Sequence, residues 1–563
     1  MYQIELTESY CPAQSDEVVL EVTVGDALRE AARDRPDTLA LIEINAAGKR
    51  GSVLSYQELL NRCEVLARAL TSRFSKGERV VVWAPNVPEW LVMEYACALA
   101  GVVLVPANPS FRAKELRYVL EQSGAVGLFL VKDYRGNPMG VMADEAVQGL
   151  NLREVTYLTD QDAMLRGGDF PHALPKVQPG DPFQIQYTSG TTGFPKGAVI
   201  HHRGLFNNGR FVAGRALIHE GSVLGNFMPM FHTAGCGISG MAALAYKIPM
   251  VLFHRFDPDD VVRVIEEEGI TTCFAVPTML VGMLEALQRC SRNMNTMELI
   301  ISGAAPVAPE LVRAVRAAMN CQFETAFGQT EQSPVICQNW ADGTPDDISF
   351  SAGQPLPQTE ASIRDPETDA ILPVGQVGEI CARGYGVMLG YHDRPEATAQ
   401  AIDEHGWLHT GDLGTMDSRG VIRITGRIKD MIIRGGENHF PIEIENALLE
   451  HPSVAEVAVV GLPDPKWGES PCAFIHLHDG VDLKPRDIIE YCRNHLAHFK
   501  APRTIVFGDL PKTSTGKIQK FLLREQAQTI SNNHTNIQNE YFKNRIERTN
   551  LINKRSKFNY FGF

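Results

Sequence analysis

Residues 187–197 read Tyr187-Thr188-Ser189-Gly190-Thr191-Thr192-Gly193-Phe194-Pro195-Lys196-Gly197. Four Ser/Thr hydroxyls, three glycines and one lysine fall within this run. Glycines let a backbone turn tightly and bring its N–H groups close to a ligand. Hydroxyls add side-chain donors, and a lysine adds a flexible point charge. Such a loop suits a polyphosphate. It is not a Walker A loop, because Gly197 follows Lys196 where that motif needs Ser or Thr after Gly-Lys. The bland alternative is a flexible surface loop of the same composition.

Outward from this run, short apolar stretches alternate with helical spacing. Strands are expected at 79–84, 101–106 and 125–131, with helices at 87–99 and 114–122 between them. The alternation recurs at 199–219 and 258–275. Strand–helix–strand order implies parallel sheets covered by helices. After about Gly353 the pattern shifts to short strands and turns at 361–363, 378–382 and 420–425, as in an antiparallel lobe. A second domain is expected from about Gly426, with helices at 442–450 and 485–497 and strands at 454–461 and 472–476. The expected fold is therefore α/β. It has a large N-terminal domain of parallel sheets covered by helices plus a β-rich lobe, and a small α+β C-terminal domain.

Composition narrows the class. A chain of 563 residues is too long for one core. Its 44% hydrophobic and 21% charged content is that of a globular enzyme. A net charge of −14 argues against a general nucleic-acid binder or a protein of anionic membrane surfaces. No apolar run approaches the ~20 residues of a spanning helix. The N-terminus shows no basic-then-apolar signal pattern, and eleven scattered cysteines without a Cys-x-x-Cys pair read as reduced thiols. A cytoplasmic location is expected. From Thr529 the composition changes to eight asparagines, six Lys/Arg and two acidic residues. Disorder is expected for 529–563, with a basic interaction tail or a non-native extension as alternatives.

The run at 187–197 resembles the phosphate loop of the adenylate-forming enzymes, the superfamily of acyl-CoA synthetases, luciferases and adenylation domains. The resemblance continues block by block to about Arg524, closest to bacterial fatty-acyl-CoA synthetases. It implies ATP contacts from Thr188, Ser189, Gly190, Thr191, Thr192, Gly193 and Lys196. Ser302-Gly303-Ala304-Ala305-Pro306 resembles the adenine-side segment. Phe327-Gly328-Gln329-Thr330-Glu331 resembles the motif that stacks adenine, touches the α-phosphate and holds Mg2+. Those roles fall on Phe327, Thr330 and Glu331. Asp412, in the segment Gly406-Trp407-Leu408-His409-Thr410-Gly411-Asp412, would accept from the ribose hydroxyls, with Arg427 on the ribose or a phosphate. Lys517, in Pro511-Lys512-Thr513-Ser514-Thr515-Gly516-Lys517, would bridge the substrate carboxylate and the α-phosphate. A cation there would offset repulsion between two anions. The implied division is 1–425 for the nucleotide and acyl sites, a hinge at 426–430 pivoting on Lys429, and a mobile domain at 431–528. Gly435, Gly436 and Glu437 would line the coenzyme A channel.

His232 stands where the resemblance puts a gate beside the carboxylate pocket. Amino-acid-activating relatives carry an Asp there, so an amino acid is disfavoured: a buried ammonium without a partner is costly. The small, apolar stretch 236–245 suits a hydrophobic acyl group and equally a packed helix. The function expected is an ATP-dependent carboxylic acid–CoA ligase acting on a medium- to long-chain acid. Its alternatives are transfer to a carrier protein in trans and a non-enzymatic binder. Gly235-Cys236-Gly237-Ile238-Ser239-Gly240 also matches the dinucleotide pattern G-x-G-x-x-G, so an NAD-dependent oxidoreductase is the competitor from another class. His201-His202 and His405/His409 suggest a metal, but no Cys or carboxylate set accompanies them at ligand spacing.

Overall fold

The computed structural model describes residues 1–168, 173–188, 195–434, 437–464, 466–478, 480–481, 483–498, 500–512 and 518–530. The chain forms two compact units, the first ending at Ile424 and the second beginning at Thr425. Among the described residues no helix is long and apolar enough to cross a membrane.

Two mixed sheets make up most of the first unit. In one, seven strands lie in the order Gly390–Tyr391, Lys196–His201, Pro182–Thr188, Val103–Ala107, Arg79–Trp83, Gly127–Leu130, Glu154–Tyr157. Its centre is parallel, with Arg79 opposite Val103 and Val81 opposite Leu128. Val80, Val81, Val82 and Trp83 are fully buried, as strands covered on both faces must be. Helix Pro88–Ala100 connects two of these strands and is buried almost all round, packed against helices Tyr56–Thr71 and Val24–Asp34. Those two helices begin with capping boxes, Ser55 with Glu58 and Thr23 with Asp26.

The second sheet has nine strands in the order Gln354–Pro355, Val335–Gln338, Gln322–Gly328, Leu299–Gly303, Thr272–Phe274, Leu224–Asn226, Met250–Phe253, Leu39–Ile44, Arg50–Ser55. Here too the middle strands are parallel and the outer pairs antiparallel. Sequence alternation foresaw the parallel cores but not these edges. The reason is loop length: a parallel neighbour needs a long crossover, while a short connection allows only an antiparallel return. Strand Lys196–His201 accordingly folds back on Pro182–Thr188 before helix His202–Arg215 begins.

The β-rich lobe is a five-stranded sheet of Tyr10–Cys11, Thr359–Arg364, Gly378–Gly384, Leu408–Met416 and Ile422–Arg427. In the second unit, strands Glu437–His439, Ile432–Arg434, Gly468–Leu477, Val454–Asp464 and Thr504–Phe507 form another sheet. Helices Pro441–Leu449 and Pro485–His495 complete a small core around Ile432, Ile444, Leu448, Val459, Ile475 and Ile488. The fold is α/β with a smaller second unit. Most of the tail expected to be disordered, 531–563, lies outside the described residues.

Candidate active site

The hairpin of Pro182–Thr188 and Lys196–His201 ends with Thr188 opposite Lys196, and the Thr188 hydroxyl donates to the Lys196 carbonyl at 3.4 Å. Ser189, Gly190, Thr191, Thr192 and Gly193 lie outside the described residues. Strand Gly390–Tyr391 pairs with the same hairpin, Tyr391 opposite Ala198. This pairing sets the Lys196 ammonium 4.9 Å from the centroid of the Tyr391 ring, a cation–π contact. On its other side the Tyr391 hydroxyl donates to Glu331 Oε1 at 2.7 Å, and the Met388 N–H donates to the Glu331 carbonyl at 2.9 Å. Lys196, Tyr391 and Glu331 thus form one group, with Glu331 buried.

Glu331 sits in a short 3-10 turn, Thr330–Gln332, directly after strand Gln322–Gly328. That strand runs parallel to Leu299–Gly303, with Gly303 opposite Ala326. Gly303, Ala304 and Ala305 therefore emerge beside Phe327 and Gly328 at the carboxyl ends of parallel strands, where open α/β sheets bind ligands. Sterics fix the residue types. A Cβ on Gly303 would come within 2.6 Å of the Ala326 carbonyl, and one on Gly328 within 2.0 Å of the Pro334 carbonyl. Ala304 takes a left-handed φ of 67°, a strained conformation of the kind that clusters at functional sites. Ala304 and Ala305 are exposed and Phe327 half-buried, so all three can meet a ligand.

His232 precedes a π-helical turn, Ala234–Gly240, that runs into helix Met241–Tyr246. Its Nδ1 accepts from the Ala234 N–H at 3.2 Å. Ile238 and Ala242 line a small apolar cavity together with Val212, Phe274 and Ile301. Its wall includes Ile301, two residues before Gly303 on the same strand.

Asp412 is buried, in strand Leu408–Met416 of the β-rich lobe. The Glu379 carboxylate holds its surroundings, accepting the Gly411 N–H at 2.8 Å and lying 2.9 Å from His409 Nδ1. In the second unit Arg427 precedes a short 3-10 turn, Ile428–Asp430, and Lys429 is its middle residue. Asp430 is ion-paired with Arg524, and Lys520 with Glu445 at 2.6 Å. Burial pushes the Asp430 carboxyl up, but Lys520 and Arg524 outweigh it and hold it below the usual range. Gly435, Gly436 and Lys517 lie outside the described residues, as does the side chain of Glu437. The base of the Lys517 loop is described: Lys512 bridges to Ile518, and the Gln519 N–H donates to the Pro511 carbonyl at 2.8 Å.

Residues 28–392 match the family described as AMP-binding enzyme, and residues 443–517 match the AMP-binding enzyme C-terminal domain. The chain belongs to the AMP-binding enzyme family. It is 34% identical over 540 residues to the putative acyl-CoA synthetase YngI of Bacillus subtilis (strain 168), covering 90% of this chain and 98% of that one. Identity to the mitochondrial medium-chain acyl-CoA ligase ACSF2 of Homo sapiens is 35% over 544 residues, 90% of this chain and 88% of the relative. ATP-bound MatB from Rhodopseudomonas palustris superposes with a TM-score of 0.82 at 29% identity, covering 91% of this chain and all of the other. A Mycobacterium tuberculosis fatty acyl CoA synthetase gives 0.71 at 30% identity, over 90% and 98%.

For an AMP-binding enzyme the dinucleotide reading of 235–240 fails on local structure. That run is a buried helical turn, eight residues past the end of strand Leu224–Asn226, and not a strand-end loop. A Cβ on Gly235 would lie 2.3 Å from the Pro229 carbonyl, so this glycine serves packing. The histidine pairs divide. His201 and His202 are core residues: Nδ1 of His201 accepts the Gly204 N–H, and His202 stacks on Phe183. Burial lowers their pKa values to about 4 and about 3. His405 is exposed. His409, however, does have Glu379, Cys381, Asp369 and Asp403 around it, contrary to expectation. These groups come from neighbouring strands and a loop, which ligand spacing in the sequence cannot register. Sequence reasoning also missed Tyr391 and Glu379, whose partners are set by strand pairing alone.

Proposed function

We propose that this AMP-binding enzyme is an AMP-forming acid–CoA ligase whose acid is a medium-chain fatty acid or a hydrophobic carboxylate of similar size. The observation carrying this reading is the joining of Lys196, Tyr391 and Glu331 at the end of the strand that presents Phe327. Kinship with acyl-CoA synthetases of known name supports the acceptor and the acid class.

In the first half-reaction a carboxylate oxygen of the acid attacks the α-phosphorus of ATP, and the bond to the bridging oxygen of pyrophosphate breaks. Thr188 and Lys196, with Ser189, Gly190, Thr191, Thr192 and Gly193, hold the β- and γ-phosphates. Phe327 and Gly328 enclose adenine together with Gly303, Ala304 and Ala305. Thr330 donates to the α-phosphate, and Asp412 and Arg427 fix the ribose. Glu331 would offer the hard carboxylate oxygen that suits Mg2+, and the ion would supply positive charge against the departing pyrophosphate. Lys517 offsets the repulsion between the two reacting anions. His232 takes the gate position beside the carboxylate pocket that the family resemblance assigns to it.

In the second half-reaction the sulfur of coenzyme A attacks the acyl carbonyl carbon, and the carbon–oxygen bond to AMP breaks. The unit beginning at Thr425 turns about Lys429 between the halves, replacing Lys517 with Gly435, Gly436 and Glu437 at the thiol path. The eleven unpaired cysteines, ten of them buried, support a reducing, cytoplasm-like compartment.

The test is AMP release with MgATP and a series of straight-chain acids, with and without coenzyme A. Octanoate should give acyl-CoA and stoichiometric AMP, well above acetate. AMP turnover that needs a phosphopantetheine-bearing carrier protein and ignores coenzyme A would overturn the acceptor. Silence with every hydrophobic acid would overturn the activity.

A further inference from the structure

We propose that His409 and Glu379 are a positioning pair that fixes the turn carrying Asp412, so that its carboxylate meets the nucleotide ribose in one orientation. The proposal rests on the reading of Asp412 as the ribose residue.

The strand register shows why such a device is needed. Glu379 lies opposite Leu413 and Cys381 opposite His409, so one intervening residue, Ile380, faces three: Thr410, Gly411 and Asp412. Asp412 therefore sits in a bulge, a feature that re-aims side chains next to sites. Bulged N–H groups leave the ladder and need other acceptors. Gly411, at a left-handed φ of 69°, gives its N–H to Glu379 Oε1 at 2.8 Å. Asp412 gives its N–H to the Thr410 hydroxyl at 3.1 Å, which itself donates to the Ile380 carbonyl at 2.6 Å. Side chains hold this turn, and Glu379 is the charged one among them.

Glu379 is in turn held by His409. A carboxylate only accepts, so the ring Nδ1 donates to Glu379 Oε2 across 2.9 Å. Nε2 of the same ring faces Asp403 at 3.8 Å and Asp369 at 4.0 Å. Arg364 reaches both of these, Asp369 at 2.8 Å and Asp403 at 3.8 Å. The buried Cys381 thiol completes the surroundings, 3.5 Å from Nδ1, and burial pushes its pKa up, so it stays neutral. Three carboxylates thus share one guanidinium and one imidazole. The hydrogen bond to Glu379 raises the His409 pKa, burial opposes it, and the charges of Glu379, Asp369 and Asp403 add to the rise. Protonated His409 balances the cluster. As pH climbs through its raised folded-state pKa, Glu379 loses that counter-charge and the turn loosens.

The experiment measures KM for ATP and kcat in pyrophosphate exchange between pH 5.5 and 9, with ATP and 2′-deoxy-ATP. The wild-type enzyme is compared with His409→Gln, Glu379→Gln and Asp412→Ala. We expect wild-type KM for ATP to rise with pH through the His409 titration while kcat changes little. His409→Gln should raise KM about tenfold, the scale of one buried charged hydrogen bond, flatten its pH dependence and weaken discrimination against 2′-deoxy-ATP. Glu379→Gln, which keeps an acceptor for Gly411, should fall between the two. An unchanged KM, pH profile and sugar discrimination in His409→Gln overturns the positioning role. Full discrimination retained by Asp412→Ala overturns the ribose reading instead. Loss of kcat and KM together, with a lowered unfolding midpoint, would reduce His409 to a purely structural residue and also overturns the proposal.

Discussion

Tyr391 links Lys196 and Glu331, the two charges the proposed function puts at the nucleotide, and nothing in its own segment announces that link. Lys196 and Glu331 stand out in the sequence because each sits in a run whose glycines and hydroxyls already suggest phosphate chemistry. Tyr391 acquires its task only when Gly390–Tyr391 pairs with a strand nearly two hundred positions earlier. Its hydroxyl stabilises a buried carboxylate oxygen and its ring faces the ammonium. Tyr391→Phe keeps the ring and removes the donor; Tyr391→Leu removes both. A hydrogen bond to a charged group is worth about 1.5–3 kcal/mol, so Phe should raise KM for MgATP about tenfold and Leu further. Initial-rate kinetics at saturating acid would show it, and equal KM values for wild type and Phe would refute it.

In the proposed function the turn Ala234–Gly240 and helix Met241–Tyr246 bear on the choice of acid. Sequence left this stretch open between a substrate wall and plain packing; in the structure Cys236, Ile238 and Ala242 are all buried, and Ile238 and Ala242 also line the small apolar cavity. Periodicity could not separate the two readings because a π-helical turn departs from 3.6 residues per turn. Ala242→Phe adds a ring to that cavity. Each excluded methylene costs about 1–3 kcal/mol of discrimination. The variant should therefore lose about tenfold or more in kcat/KM on decanoate relative to hexanoate, and an unchanged ratio would place the acyl chain elsewhere. Helix Pro88–Ala100 contributes differently. Glu94 is fully buried on it, with Oε1 accepting from Gln184 at 2.7 Å and Oε2 unpartnered among the described residues. Burial pushes its carboxyl well above the ordinary 4.5, more than the Gln184 hydrogen bond pulls it down. The folded chain thus keeps a proton that the unfolded chain releases above pH 4.5. Stability from this group is complete below that value and is lost as pH rises toward the folded-state pKa, at about 1.4 kcal/mol per unit. Glu94→Gln should raise the urea midpoint at pH 8 and change it little at pH 4.5; a gain equal at both would exclude the ionisation argument.

Across the molecule, the alternating strands and helices were legible because buried parallel strands read as continuous apolar runs. What stayed hidden was long-range placement: the antiparallel edges, the bulge at Thr410–Asp412 and the acids around His409 all arise from pairing between distant segments. The two compact units carry separable parts of the proposed reaction, and this separation yields the sharpest forecast. In the proposed scheme Lys517 serves only the step in which two anions approach, because thioester formation brings a thiol to a carbonyl and has no such repulsion to offset. Removing a preorganised charge-stabilising group costs about 10²–10³ in rate. Lys517→Ala should therefore slow acyl-adenylate formation, followed as pyrophosphate exchange, by about 10²-fold or more. Supplied with presynthesised acyl-adenylate and coenzyme A, the same variant should make thioester at near wild-type speed. The segment after Lys517 is held by two ion pairs of its own, Lys520 with Glu445 and Arg524 with Asp430. Equal losses in both assays would mean that one arrangement of the units serves both halves and that no turn about Lys429 is required.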